Sequence, residues 1–355
     1  MMKRSNTMKR IDKLTNLMQE SQLIISDKMM IFYYTGHRFD VGERMIALLV
    51  GKDHEPILFL NKLFEAPKDI KTIVYEDGDD TTSLIENYLT HKHIAVDGNW
   101  ASRFLIPFIN KGYKVVNGST YLEQIRTLKD ELELATLIEA SHHNDRIMLE
   151  MESLLKVGMT EIELAEIVRE KQSTPPLTGV SFEPIVLFTE NIADPHGVPS
   201  SRTLREDDVV LIDMGGIYQD YCSDMTRCFF MGENPEMEHL YKIVLAANKA
   251  GIDAVKPGSR LSDVDKATRA VIEAAGYGPY FVHRTGHGIG IECHENLDVS
   301  SKNDRIIEPG MCFSIEPGIY IPGKGGIRIE DLVHVTKDGV FVMNQCKKEF
   351  TDIKK

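Results

Sequence analysis

The sequence predicts an α/β layer domain over residues 1–122 followed by an α+β domain over residues 123–355, in which helices cover a pseudo-twofold central sheet. Three observations predict this. A chain of 355 residues exceeds the usual size of one domain. Its first third alternates short β-rich runs with helical patterns. Its remainder shows a faint repeat, in which a helix break, a second helix and a β-rich stretch with two spaced carboxylates occur twice.

In the first domain the candidate strands are Met30–Tyr34, Met45–Val50, Ile57–Leu60, Thr72–Tyr75, His93–Val96 and Tyr113–Val116. Helical stretches at Thr82–Leu89 and Ala101–Asn110 lie between the later ones, giving the alternation of an α/β layer. No Asp, Glu, His or Cys cluster at ligand spacing falls in this region, so its expected work is structural. Gly118-Ser119-Thr120 leads into one long helical pattern, Tyr121–Val157, which carries the chain into the second domain.

There Lys156-Val157-Gly158 ends a helix, and Thr160-x-x-Glu163 has the form of a capping box that opens the next. Later, Lys256-Pro257-Gly258 ends a helix that Asn234-Pro235 starts, and Ser262-x-x-Asp265 can cap its successor.

The β-rich parts carry the chemistry. Val209–Asp213 is an apolar run ending in a carboxylate; Gly215-Gly216 permits a turn, and Tyr221–Phe230 returns with Asp224 on it. Met311–Ile315 runs into Glu316, and after Pro322–Gly326 the chain returns as Ile327–Glu330. Each hairpin brings two carboxylates together. One Asp at a strand end is ordinarily a turn residue, but four acidic groups meeting on one sheet repel strongly unless cations relieve them. His287, within Thr285-Gly286-His287-Gly288, adds an imidazole from a glycine-flanked segment. Carboxylates with one nitrogen donor suit hard or borderline divalent ions rather than a structural zinc site. The glycines at 286, 288 and 290 do not have the G-x-G-x-x-G spacing of a nucleotide loop.

Composition narrows the partners. A net charge of −13 argues against nucleic acid or an anionic membrane. Five cysteines, odd in number and without a C-x-x-C pair, suit a reducing compartment. The opening MMKRSNTMKRIDKL has charges but no apolar run behind them, so it does not read as a secretory signal. The expectation is a cytoplasmic protein without a membrane span.

The motifs Asp-Pro-His-Gly at 194–197, Leu-Ile-Asp-Met-Gly-Gly at 211–216, Ser-Asp-Met-Thr-Arg at 223–227, His-Arg-Thr-Gly-His-Gly-Ile-Gly at 283–290, His294-Glu295, Ser-Ile-Glu-Pro-Gly-Ile-Tyr at 314–320 and Gly-Ile-Arg-Ile-Glu-Asp at 326–331 span nearly the whole second domain. In that order they resemble the pita-bread (M24-type) metallopeptidases, the family of methionine aminopeptidase, aminopeptidase P and prolidase. The match is closest to Xaa-Pro dipeptidases and aminopeptidases. The first domain resembles the creatinase and prolidase N-terminal domain more loosely.

The resemblance implies two divalent ions per chain, Mn first, with Co, Zn or Fe as alternatives, which activate water against the peptide bond before proline. Asp213 would chelate one ion, Asp224 and Glu330 would bridge the pair, and His287 and Glu316 would complete the coordination of the second ion. His196, His283 and His294 match the family's non-ligand histidines around the scissile bond. On mechanistic grounds His196 or His294 would donate to the oxyanion, and Glu316 would carry a proton from the nucleophile to the leaving nitrogen. His283 would form part of the substrate pocket wall, and Arg328 would support the bridging carboxylate beside the substrate. Small peptides are the implied substrates, and a homodimer the implied assembly. A methionine aminopeptidase-like specificity and a non-catalytic peptide-binding role on the same fold are the alternatives.

Two departures bear on specificity: Asn296-Leu297 stands where the family commonly has proline after the glutamate, and Phe188–Asn191 replaces a small, Ser/Gly-rich approach to His196. Lys302 and Arg305 are candidates to clamp a dipeptide's terminal carboxylate, or else solvated loop charges. The remaining histidines, His37, His54, His91, His93, His142, His143, His239 and His334, are read as ordinary surface or core residues.

Overall fold

Capping decides where the first elements begin and end. The computed structural model describes residues 4–350. The chain packs as two units that divide between Arg126 and Thr127. The first unit opens with α1 (Arg4–Leu17), a helix that the sequence reading left unassigned, then β1 (Gln22–Ile25) and α2 (Lys28–Thr35). The predicted strand Met30–Tyr34 therefore lies inside a helix. Asp27 accepts from the Met30 N–H, and Gly36, at φ 77°, closes the other end by donating to Phe32 O. Those two caps outweigh the β propensity of Ile-Phe-Tyr-Tyr.

The other predicted strands of this unit form: β2 (Ala47–Gly51), β3 (Ile57–Asn61), β4 (Lys71–Tyr75), β5 (His93–Val96) and β6 (Lys114–Asn117). With β1 they make one six-stranded sheet in the order β4-β3-β2-β1-β5-β6. Its β3–β4, β1–β5 and β5–β6 pairs are parallel. Between these strands lie α3 (Thr81–Glu86) and α4 (Ser102–Asn110), and α5 (Ser119–Thr127) follows.

The single long helix expected over Tyr121–Val157 is two. Asp130 starts α6 (Glu131–Leu154) by accepting from the Leu132 and Glu133 N–H groups, while the Glu133 side chain accepts from Asp130 N–H. This capping box interrupts the apolar pattern that runs across it. Then come α7 (Glu161–Gln172), capped by Thr160 and Glu163 as expected, and β7 (Ile185–Phe188). They are followed by β8 (Val209–Met214), β9 (Ile217–Tyr218), β10 (Tyr221–Cys222) and β11 (Met225–Phe230).

The second half repeats the plan: α8 (Pro235–Ala254), α9 (Leu261–Ala274), β12 (Gly286–Gly288), β13 (Glu295–Val299), β14 (Cys312–Ile315), β15 (Gly318–Ile321), β16 (Gly325–Arg328), β17 (Asp331–Val335) and β18 (Val340–Val342). Asn234 caps α8 through Met237 N–H, with Pro235 in the first turn. The Ser262 cap does not form. Asp263 accepts from Arg260 N–H instead, and the Ser262 hydroxyl donates to Asp304.

The repeat is real in the hydrogen bonding. Gly158 N–H donates to Leu204 O, and Gly258 N–H to Ile307 O, both at 2.9 Å. Asn144 of α6 donates to Met214 O at 2.8 Å, and Asn248 of α8 to Ile315 O at 3.0 Å. Each asparagine thus ties a helix to the end of a carboxylate-bearing strand. The sheet halves are β11-β8-β7 and β13-β12-β14-β17-β18, joined where Glu330 N–H donates to Thr226 O. Two short ribbons, β9–β10 and β15–β16, extend from them. The first hairpin turns at Gln219-Asp220, both at positive φ, rather than at Gly215-Gly216. Among the described residues no helix is long and apolar enough to cross a membrane, and all five cysteines are free thiols.

Arg227 locks the seam. Its buried guanidinium pairs with Asp331 at 2.8 Å and donates to Thr226 O, Glu330 O and Cys346 O. Replacing it with Met leaves buried acceptors unpaired, and urea unfolding is expected to show a loss of about 3–5 kcal/mol in stability.

Candidate metal centre

Strand register brings the acidic groups together. Thr226 of β11 lies opposite Asp213 of β8, and Asp224 is two residues before Thr226, at the entry to β11. Ile315 of β14 lies opposite Asp331 of β17, so Glu316 and Glu330 face each other where that ladder opens. His287 stands on β12, beside β14. Glycine is required at two matching places. A Cβ on Gly215 would lie 1.9 Å from Ser223 O, and one on Gly286 would lie 1.8 Å from Ser314 O.

The nine residues expected at the site, His196, Asp213, Asp224, His283, His287, His294, Glu316, Arg328 and Glu330, all line one cavity of about 410 Å³. Asp224, His287 and Glu330 each offer a ligand atom within 4.8 Å of the other two. None of the eight histidines read as ordinary residues lines it, nor do Lys302 and Arg305. The cation at its wall besides Arg328 is Arg284, an exposed side chain that lies 3.3 Å from Asp298.

Four enclosed carboxylates share this space with one enclosed guanidinium; a fifth at its wall, Glu183, is exposed and paired with Arg169. Arg328 donates to Asp213 at 2.6 Å, to the Tyr320 hydroxyl at 3.0 Å and to the Thr226 hydroxyl at 3.1 Å. Thr226 in turn donates to Glu330 at 2.8 Å. Arg328 therefore supports Asp213 directly, and Glu330 only through Thr226. Burial first, and then the neighbouring carboxylates, pushes Asp224 and Glu330 well above the usual carboxylate range. Burial raises Glu316 as well.

Three carboxylate oxygens, Asp213 Oδ1, Asp224 Oδ1 and Glu330 Oε1, are buried without a hydrogen-bond partner. His287 adds to the imbalance. Its Nδ1 lies 3.0 Å from Gly288 O, which requires the proton there, so Nε2 presents a lone pair. That lone pair faces Glu316 at 3.4 Å and Asp224 at 3.6 Å. Burial holds the ring neutral by lowering its pKa to about 4. An acceptor facing acceptors, in a pocket of unpaired carboxylate oxygens, fits a hard or borderline divalent cation.

Each non-ligand histidine is carried on an anchored segment. His196 is exposed in a loop whose flanks are tied down by buried Glu161, which accepts from Phe188 N–H, Asn191 and Ser200. His283 is held through its carbonyl by Arg269, itself paired with buried Asp265. Its Nδ1 donates to Arg284 O at 2.7 Å, and its Nε2 accepts from Tyr320 OH at 2.8 Å. His294 is open to solvent on one side, while its ring packs edge-on against His287 at 4.1 Å; the partial burial of the ring and then His287 lower its pKa to about 4.

Sequence reasoning missed Thr226, Ser314, Tyr320, Cys293 and Arg284. Strand alternation was the available signal for two of them: Thr226 is two residues from Asp224, and Ser314 is two from Glu316, to which it donates at 3.1 Å. Cys293, whose thiol donates to Asp224 at 3.3 Å, sits on a loop and had no such signal.

Residues 135–337 match the family described as metallopeptidase family M24, and residues 10–128 match the creatinase/prolidase N-terminal domain. A putative dipeptidase of Bacillus subtilis, YkvY, is 37% identical over 360 residues, covering 96% of this chain and 99% of its own. The crystal structure of dipeptidase PepE from Mycobacterium ulcerans is similar with a TM-score of 0.93 at 33% identity, covering 98% of each chain. An Xaa-Pro dipeptidase from Bacillus anthracis is similar with a TM-score of 0.90 at 28% identity, covering 98% of this chain and 100% of that one.

If unpaired carboxylates define the centre, added Mn(II) or Co(II) raises the melting temperature of the wild-type protein. Glu330→Gln should start from a more stable metal-free form and show a smaller rise, measured by scanning calorimetry with and without metal.

Proposed function

Because the chain belongs to metallopeptidase family M24 and is a peptidase, we propose that it is a dinuclear metal-dependent dipeptidase that hydrolyses the bond before proline in Xaa-Pro dipeptides. The observation that carries this reading is the convergence of Asp213, Asp224, His287, Glu316 and Glu330 on one cavity, with three of their oxygens buried and unpaired. The five side chains would hold two divalent ions, Mn being the expected metal. Bound there, such ions lower the pKa of water and polarise a scissile carbonyl.

The chain's own groups do the rest. Glu316 takes the proton that the attacking water gives up and passes it to the leaving proline nitrogen. That nitrogen carries no hydrogen in the substrate, so strand-like pairing cannot recognise it. Neutral His294, and His196 on its anchored loop, donate to the developing oxyanion instead. His283 has both ring nitrogens engaged, with Arg284 O and Tyr320 OH, and serves as a fixed wall of the substrate pocket. Arg328, with its bonds directed at Asp213, Tyr320 and Thr226, orients the acidic groups rather than gripping substrate.

A dipeptidase has to meet a carboxylate just beyond proline. Arg284 supports that reading, since its guanidinium lines the cavity and its contact with Asp298 is exposed and easily exchanged. It takes the clamping part first considered for Lys302 and Arg305.

Product analysis tests this directly. Ala-Pro should be cleaved and Ala-Pro-Ala-Ala left intact; release of alanine from the tetrapeptide would make the protein an aminopeptidase. Arg284→Gln should raise KM for Ala-Pro with little change in kcat. His294→Ala should keep its metal, measured by elemental analysis, and lose about 100- to 1,000-fold in kcat.

A further inference from the structure

We propose that the buried ion pair between Lys129 and Glu295 positions His294. This rests on the part given to His294 in the proposed peptidase reaction.

His294 lies on the loop between β12 and β13, where its ring meets that of His287 edge-on at 4.1 Å. The residue after it anchors that loop. Glu295 turns inward, with a side chain only 6% exposed, and pairs at 2.6 Å with Lys129, whose side chain is 3% exposed. Its other oxygen accepts from Glu292 N–H at 3.4 Å, closing the loop on itself. Gly290 makes room: a Cβ there would lie 2.2 Å from the Glu295 carboxylate. His294 directly precedes Glu295 and lines the cavity, so fixing Glu295 fixes the stretch of backbone from which His294 reaches it.

Lys129 is itself placed firmly. Its N–H donates to Gly310 O at 2.9 Å, and it immediately precedes Asp130, the residue that caps α6. Two residues earlier, the Thr127 hydroxyl donates to Asn296 O at 3.4 Å. The segment 127–129 thus holds both the side chain and the backbone next to His294. The loop's far side is tied by Cys222 N–H to Gly290 O at 2.8 Å. Lys129→Met removes the 2.6 Å ion pair from an almost wholly buried carboxylate, which weakens the hold of the protein interior on it. Glu295 then gains by turning to water, and it takes His294 with it.

The test uses the full-length, metal-loaded protein and the variants Lys129→Met, Lys129→Arg, Glu295→Gln and His294→Ala, with the Lys129→Met/His294→Ala double variant. Lys129→Met is expected to lower kcat on Ala-Pro about ten-fold or more, leaving KM and metal content near wild type. Lys129→Arg should restore most of that loss, and Lys129→Met should cost nothing further once His294 is alanine. Amide exchange across residues 289–295 should quicken in Lys129→Met. Wild-type kcat in Lys129→Met, an equal loss in the His294→Ala background, or unchanged exchange in the loop would each overturn the proposal. Should Lys129→Met not fold, Glu295→Gln carries the same comparisons. A wild-type protein inactive on every Xaa-Pro dipeptide defeats the proposed function; the exchange comparison still decides whether the ion pair holds the loop.

Discussion

Mutual repulsion among Asp213, Asp224, Glu316 and Glu330 is the constraint around which the second unit is built. One guanidinium, that of Arg328, is enclosed with them, and it is spread over Asp213, Tyr320 and Thr226. The imidazole that joins them is neutral and presents a lone pair. Such a cluster is tolerable in a folded protein when the surrounding structure holds it rigidly and cations answer its charge.

That rigidity comes from duplication. The same helix-break glycine, the same asparagine bond to a strand end and the same glycine under a close carbonyl appear in both halves. Each half brings two carboxylates to the seam, and Arg227 fastens the seam through Asp331 and the carbonyls on either side. Buried charged groups outside the cluster, Glu161, Asp265 with Arg269, and Lys129 with Glu295, secure the segments that carry His196, His283 and His294. The second unit therefore spends buried charge at two levels: to form the centre, and to aim the groups around it.

Much of this was legible in sequence because the informative residues lie on strands with regular alternation. Asp213, Asp224, Glu316 and Glu330 could be paired from apolar runs and turn residues alone, although the first turn was misplaced from Gln219-Asp220 onto Gly215-Gly216. Those glycines are needed for close backbone approach, a requirement that exists only once the partner strand is in place. The strand expected at Met30–Tyr34 failed because four β-prone residues in a row carry no period, and the caps Asp27 and Gly36 decided the outcome. The merged helix over 121–157 failed in the opposite sense, since the capping box at Asp130–Glu133 was written in the sequence and overridden by apolar spacing. Loop-borne contacts, Cys293 to Asp224 or Lys129 to Glu295, join residues 69 and 166 positions apart and have no local signature.

Anomalous diffraction from crystals of the protein grown with Mn(II) tests the central claim most directly. Two peaks in the cavity, one beside Asp213 and one beside His287 and Glu316, with Asp224 and Glu330 between them, are the predicted result. Ordered carboxylates with no anomalous peak among them at saturating metal, or manganese bound only elsewhere on the chain, would contradict it.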